Sequence, residues 1–312
     1  MNIPEGGQLE DDSNESSVFS DDSQLVRSVQ SGDEVGFVAM RDRYQAPMMR
    51  LAAVYASDRT TTEEIVRETW AVALQRLDQF DGRSSLKTWL FRILIDRAKS
   101  RAATFGRNIP FAARWNPDHE SAEPAVDPDR FLSADFPRYS HWWEEDPSAW
   151  DDRFRQDLHS PETQNYLAGV VAALPASWQE LVILRDIEGC TPSEVSELLR
   201  VTKANQEMLL QRARSKLRNE LEQHFNKEVN TSTGEELTCK ELVEDVVQYI
   251  EGSMPEAERK QFEEHLYICP GCRIYVDQMR ITIETLGNLP TESLSTETQE
   301  DIYYLFQDWK PG

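Results

Sequence analysis

Long apolar runs are missing from this sequence. The longest, Tyr166 to Ala176, is about half of what a membrane-crossing helix needs, and the first residues carry no basic-then-apolar leader pattern. Four cysteines in 312 residues do not make a disulfide framework. These absences exclude membrane spans and disulfide-stapled secreted scaffolds, and the expectation is a cytoplasmic protein of about two or three domains, each able to bury a modest core. Bases are also in short supply: 33 Lys and Arg face 56 Asp and Glu, for a net charge of −23. That balance argues against free-standing, non-specific nucleic-acid binding.

The bases that exist are gathered into two islands. Residues 1–22 hold seven acids and no base, and residues 226–312 hold eighteen acids against seven bases. Between these flanks, Asp81 to Arg107 carries seven Lys or Arg against two Asp, and Arg200 to Arg218 carries six against Glu207 alone. Local cation clusters are the footprint that phosphate binding requires. Acidic flanks beside them suggest self-shielding or a protein partner.

The second island lies in a helix-turn-helix pattern. Thr191-Pro192-Ser193-Glu194 supplies a hydroxyl N-cap, a proline at the first helical position and a carboxylate three residues after the cap. Gly189 ends the preceding helix, Val195, Leu198 and Leu199 form a buried stripe, and Arg200-Val201 makes a short turn. Thr202 can cap a second helix through Leu210, Ala213 and Leu217. Two short helices with a tight joint suit a reader whose second helix enters a major groove. A helical hairpin with a solvated basic face remains the plainer alternative.

Upstream, residues 1–22 are too polar and acidic to offset chain entropy and are expected to be disordered. Helical periodicity starts at Ser23. Leu25, Val26 and Val29 begin one helix, Phe37, Met40 and Tyr44 a second that passes Pro47, and a third starts near Thr62 with Ile65, Val66, Thr69, Trp70, Ala73, Leu74 and Leu77 on one side. After a turn at Phe80 to Ser85 a further helix is apolar along Leu90, Ile93, Leu94 and Ala98 and basic on its other face. Arg83, Lys87, Arg92, Arg97, Lys99 and Arg101, with Trp89 and Phe91 near the helix start, combine cations with rings, which suits melted or single-stranded nucleic acid. Trp89 itself is expected in the core.

Residues 108–160 read as a long acidic connector with Pro and Trp, twelve acids lying between Asp118 and Asp157. Its aromatics, Trp142, Trp143 and Trp150, suggest anchor points; a flexible spacer is the other reading. Pro161 to Ala173 is a helix, Pro175 starts another through Leu184, and residues 226–236 form a polar linker. The tail offers Thr296 to Gln299 as a capping box before an amphipathic aromatic helix of Ile302, Tyr303, Leu305, Phe306 and Trp309, expected to dock on the chain or a partner.

Residues 237–288 contain Cys239, His265, Cys269 and Cys272. A C-x-x-C pair hooks a tetrahedral ion, a histidine four residues earlier shares the helix face, and Cys239 can return as the fourth ligand at the head of its own helix. Zinc is the expected ion. Buried cysteines beside an exposed histidine, or a redox dithiol, are the alternatives.

The segments "TTEEIVRETW", "FDGRSSLKTWLFRIL", "LPASWQELVILRDIEGCTPSEVSELL" and "RARSKLR" resemble an extracytoplasmic-function (ECF) sigma factor of bacterial RNA polymerase, over residues 20–107 and 160–225. The resemblance implies an all-α fold: a region 2 bundle (residues 23–107) that binds core polymerase and the downstream promoter element, and a region 4 helix-turn-helix (161–225) that reads the upstream element. Carried over, Glu63, Glu64, Arg67, Glu68 and Trp70 belong to the polymerase-binding helix. Arg83 to Arg101 match the melting segment, and Lys203, Asn205, Gln206, Arg212, Arg214 and Lys216 the upstream reader. Asp96 stands where such proteins often have Asn, and Asn205-Gln206-Glu207 replaces a more usual Thr-Val-Lys. Glu207 suits DNA only by accepting from a cytosine amino group.

The pattern "YIEG.MPEAER..FEEHLYICPGC" is similar to the zinc-binding anti-sigma domain, whose helices clasp sigma modules and occlude polymerase. Fusion in cis makes its effective concentration high. The expected function is therefore a promoter-recognition subunit, not an enzyme, with its own regulatory zinc domain (237–288) and a C-terminal helix (289–312). Its partners would be core polymerase, promoter DNA and a further regulatory protein. A metal or redox sensor built on the Cys/His cluster and a pure anti-sigma adaptor are alternatives of the same class. A zinc hydrolase is disfavoured because it needs an open ligand position.

Overall fold

The computed structural model describes residues 22–104, 126, 130, 131, 143, 150, 157–225, 238–290 and 293–309. Expectations for residues 1–21 and 226–236, for most of the connector, and for Trp142 and Arg107 fall outside these. The described residues are helical and contain no strand; Phe131 and Trp143 form an isolated antiparallel bridge. The chain divides into two compact units, residues 1–108 with 291–312, and residues 109–290.

In the first unit, α1 (residues 22–30) ends at Gly32, whose φ of +79° is open to glycine without strain. α2 (Glu34–Ala53) starts on the Asp33 side chain, which accepts from Val35 N–H, and continues through Pro47. α3 (Arg59–Arg76) starts on Asp58, three residues before the expected position, because the Asp58 carboxylate accepts from Thr61 N–H. α4 (Leu86–Thr104) starts where the Ser85 hydroxyl accepts from Thr88 N–H. Phe37, Met40, Trp70, Leu74, Leu90, Phe91 and Leu94 are buried between these helices. The last helix, α12 (Thr296–Trp309), joins this bundle along α3.

Asp22 corrects the expected boundary of the acidic terminus. It is 3% exposed and accepts from the Tyr44 hydroxyl at 2.7 Å and from Leu86 N–H at 3.3 Å. A buried carboxylate with donors from two helices belongs to the bundle. The expected tail cap is corrected too. The N-cap of α12 is Ser295, whose hydroxyl accepts from Thr298 N–H at 3.3 Å, and Thr296 is already helical.

The second unit contains α5 (Pro161–Ala173), α6 (Ala176–Val182) with a π-helical turn at Ile183–Ile187, α7 (Pro192–Leu199) and α8 (Lys203–Phe225). It continues with α9 (Cys239–Ile250), α10 (Glu256–Ile268) and α11 (Pro270–Leu286). The Thr191–Glu194 capping box forms as the spacing predicts, Arg200 takes the left-handed conformation at φ 60°, and Asn205 N–H donates to the Thr202 hydroxyl. α8 is the central element of this unit: α5, α6 and α7 pack on it, and so do α9 and α11.

Candidate functional site

Cys239, His265, Cys269 and Cys272 are all buried, and their ligand atoms lie within 4.8 Å of one another. Three helix ends bring them together. Thr238 caps α9 with a full capping box and so fixes Cys239 at its first position. His265 faces inward from the last turn of α10, and Cys269 is the N-cap of α11, its sulfur accepting from Cys272 N–H. The distances are 3.7 Å from Cys239 Sγ to Cys269 Sγ, 3.7 Å from Cys239 Sγ to His265 Nε2 and 3.2 Å from His265 Nε2 to Cys272 Sγ. Zinc–sulfur bonds of ~2.3 Å in a tetrahedron put neighbouring sulfurs roughly 3.8 Å apart. The donor set and its spacing therefore fit a closed four-coordinate zinc site.

The thiols are electrostatically unequal. Hydrogen bonds from Cys239 and Cys272, together with the Cys272 N–H, pull the Cys269 thiol far below its ordinary range despite burial. The helix start of α11 also favours a thiolate there. The proton shared toward Cys269 pushes Cys239 up, and burial pushes Cys272 up. The four cysteines form no disulfide with one another.

Around this cluster the second unit has a continuous core. Leu242, Val243, Val246, Phe262, Tyr275, Val276 and Met279 pack against the ligands, and Val126, Phe131 and Trp143 of the connector complete it. α8 is held to α9 and α11 by polar contacts. Gln211 donates to the Val243 carbonyl, the Ser215 and Tyr275 hydroxyls lie 3.0 Å apart, and Arg218 donates to Gln278 at 2.6 Å.

Residues 40–105 match the family model of sigma-70 region 2, residues 164–217 that of sigma-70 region 4, and residues 239–273 a zinc-finger family. The chain is an ECF sigma factor with a C-terminal zinc-finger domain of the anti-sigma type. It is similar to the ECF RNA polymerase sigma-E factor of Haemophilus influenzae, with 25% identity over 201 residues, 64% of this chain and 95% of that protein. The RNA polymerase sigma-H factor of Pseudomonas aeruginosa is 34% identical over 89 residues, 28% of this chain and 46% of that protein. The sigma-E factor of Escherichia coli is 24% identical over 180 residues, 57% and 82% of the two chains. The sigma factor thus directs transcription initiation, is not an enzyme, and carries a fused regulatory zinc-finger domain.

The expected DNA contacts of the sigma factor divide by environment. In α4, Lys87, Arg92, Arg97 and Lys99 are partly exposed and Asp96 is exposed, while Leu90, Ile93, Leu94 and Ala98 are buried. Arg83 is exposed and paired with Asp81 at 2.6 Å. Arg101 turns inward and pairs with Glu64 and Glu68 of α3. Trp89 departs from its expected core position. It is half-buried, one edge resting on Phe80 at 5.4 Å between ring centres.

In α8, Lys203 and Lys216 are exposed and Asn205 and Arg212 partly so. Two other expected reader residues face inward. Gln206 is 1% exposed and donates to the Pro192 carbonyl and the Ser196 hydroxyl, tying α8 to α7. Arg214 is 3% exposed and bound to Asp186 at 3.0 Å and Glu251 at 3.0 Å. Burial works against its charge, but the two carboxylates outweigh burial and raise its pKa. Arg218, counted within the basic island, is fully buried over the Tyr275 ring.

On α3, Trp70 is wholly buried and meets Phe37 edge-on, so it supports the helix rather than its surface. Glu63 is covered by the start of α12: it accepts from the Ser295 hydroxyl at 2.6 Å, Ser295 N–H at 3.1 Å and the Thr298 hydroxyl at 2.8 Å. Glu64 and Arg67 line a polar cleft of about 610 Å³ with Arg59, Glu297 and Asp301. Sequence reasoning passed over Ser295, Glu251 and Gln278, because ordinary polar residues show their role only once their distant partners are in place.

Proposed function

We propose that the fused C-terminal part restrains this sigma factor in cis, holding both promoter-recognition modules in a form unfit for polymerase and DNA until it is displaced. The observation that carries this reading is the burial of Glu63 beneath Ser295 and Thr298. Residues of α3 that the family resemblance assigns to core polymerase serve here as the docking surface of α12. The second unit supports it independently: Arg214 and Arg218, two cations of the reader helix, spend their charge on Asp186, Glu251 and Gln278 rather than on phosphate.

Within this proposal the cluster of Cys239, His265, Cys269 and Cys272 holds zinc as a closed structural ion that fixes α9, α10 and α11 in register. Zinc there supplies cross-linking of helix ends and no reaction chemistry. The downstream element would be held by Arg83, Lys87, Trp89, Arg92, Arg97 and Lys99, and the upstream element by Lys203, Asn205, Arg212 and Lys216, in the cytoplasm. Arg101, Gln206 and Arg214 act as internal struts in the restrained form.

Run-off transcription with core polymerase tests the reading. The full chain, a chain ending near Asn226 and the full chain with Phe306→Ala are compared on the same promoter library. The restrained form predicts at least several-fold more promoter-specific transcript from both altered chains. Equal or smaller yields would make the C-terminal part an activator or a bystander.

A further inference from the structure

The connector between the two promoter modules, which the zinc-finger match does not include, reaches the metal cluster. Trp143 is 5% exposed, and its indole Nε1–H donates to Cys272 Sγ at 3.2 Å. The ring is held on three sides: Phe131 at 4.8 Å and Tyr275 at 5.6 Å between ring centres, and the Arg130 guanidinium 5.4 Å above it. Arg130 in turn pairs with Glu222 of α8 at 3.3 Å. One of the four ligand sulfurs thus takes a donor from a connector residue whose neighbour is bound to the reader helix.

We propose that Trp143 is a positioning residue of the metal centre, its indole N–H orienting and quieting the Cys272 sulfur, so that seating of the connector and occupancy of the metal site reinforce each other. The physical reason is the pull of an N–H donor on sulfur lone pairs. A hydrogen-bonded thiolate is less nucleophilic and better oriented, and outer donors of this kind tune metal affinity strongly. Reciprocity follows from linkage: if the seated connector tightens the metal, the metal must tighten the connector's seat by the same factor. The site then does more than staple three helices. It also reports whether the segment between the promoter-binding modules is captured or free. This inference rests on the zinc reading of the four ligands.

The test uses the full chain and its Trp143→Phe variant, which keeps an aromatic ring in the pocket while deleting the donor along with the rest of the indole. Each is loaded with cobalt(II) as a spectroscopic stand-in, and zinc affinity is measured by competition with a chromophoric chelator. Loss of the donor should move the thiolate-to-cobalt absorption to longer wavelength and weaken zinc binding about 10-fold. On the unaltered chain, trypsin cleavage after Arg130 should be several-fold faster once the metal is stripped. Identical spectra and affinities in the two chains would overturn the role of Trp143 while leaving the zinc site intact. Cleavage indifferent to metal would overturn the coupling, and an unaltered chain that takes up neither cobalt nor zinc would overturn the zinc reading and this inference with it.

Discussion

Glu63 shows how one side chain changes meaning with its surroundings. Burial alone would raise its pKa, but donation from the Ser295 hydroxyl, the Thr298 hydroxyl and Ser295 N–H outweighs burial and lowers it. A carboxylate with a lowered folded-state pKa stabilises the fold above its unfolded value and loses that contribution as pH falls through the folded one. Replacing it by Gln at neutral pH is expected to cost about 1.5–3 kcal/mol, as for hydrogen bonds to a charged group. Urea unfolding of the Glu63→Gln chain and its parent should differ at pH 7 and converge below the ordinary glutamate range. A second residue-scale test concerns Gly36. A Cβ there would fall 2.2 Å from the Ser28 hydroxyl oxygen and 2.7 Å from its Cβ, so α1 and α2 touch through a missing side chain. Gly36→Ala is expected to destabilise by roughly 1–3 kcal/mol, read as a lower urea midpoint with unchanged slope.

Elements are held by anchors whose partners come from far along the chain. α12 lays Phe306 flat on Phe37, with ring centres 4.3 Å apart, and ties Tyr303 to Glu34 at 2.7 Å. Phe306→Ala should remove about 3–5 kcal/mol, more than a lone terminal helix can forgo. Amide exchange across α12 should then rise to the rate of unfolded chain while α2 to α4 stay protected. α8 is two-faced: Lys203 and Lys216 meet solvent, while Gln206, Gln211, Arg214, Ser215 and Arg218 are buried. The acid that caps the C-terminus of α9 serves one of these buried charges, Arg214, and a cation next to α6. Glu251 receives Arg185 at 2.6 Å and Arg214 at 3.0 Å. Truncating Glu251 to Ala leaves these cations underpaired at a buried site and is expected to cost about 3–5 kcal/mol, measured by chemical denaturation of the second unit.

For the molecule as a whole, the Cys/His cluster lies inside the same core as Leu242, Phe262, Tyr275 and Trp143, so on the proposed zinc reading metal binding and folding of α9 to α11 would be one process. Structural zinc sites of this kind contribute on the order of 10 kcal/mol at neutral pH. Chelation should therefore loosen residues 238–290 cooperatively and expose Gln211, Ser215 and Arg218 along α8, visible as simultaneous loss of exchange protection in both segments. A chain stripped of metal that kept this protection would show the core to be self-sufficient.

The sequence by itself determined what short-range physics decides. Capping residues and 3.6-residue periodicity specified the helix-turn-helix at Thr191 to Leu217 because N-cap geometry involves residues three apart. The clustering of Cys239, His265, Cys269 and Cys272 was legible because Cys269-x-x-Cys272 and His265 fall on adjoining helix turns. Charge islands were legible as sums, but the destination of each charge was not. Arg214 and Arg218 counted as phosphate binders in a linear tally, and the packing of the turn after α6, of α9 and of α11 on α8 turned them inward. Glu63 read as a surface acid until a serine 232 residues away capped a helix on it. Trp143 read as a hydrophobic anchor until Cys272, 129 residues on, became its acceptor. Burial and long-range pairing belong to the folded chain, because a side chain's solvent is chosen by elements it cannot meet until the chain has closed on itself.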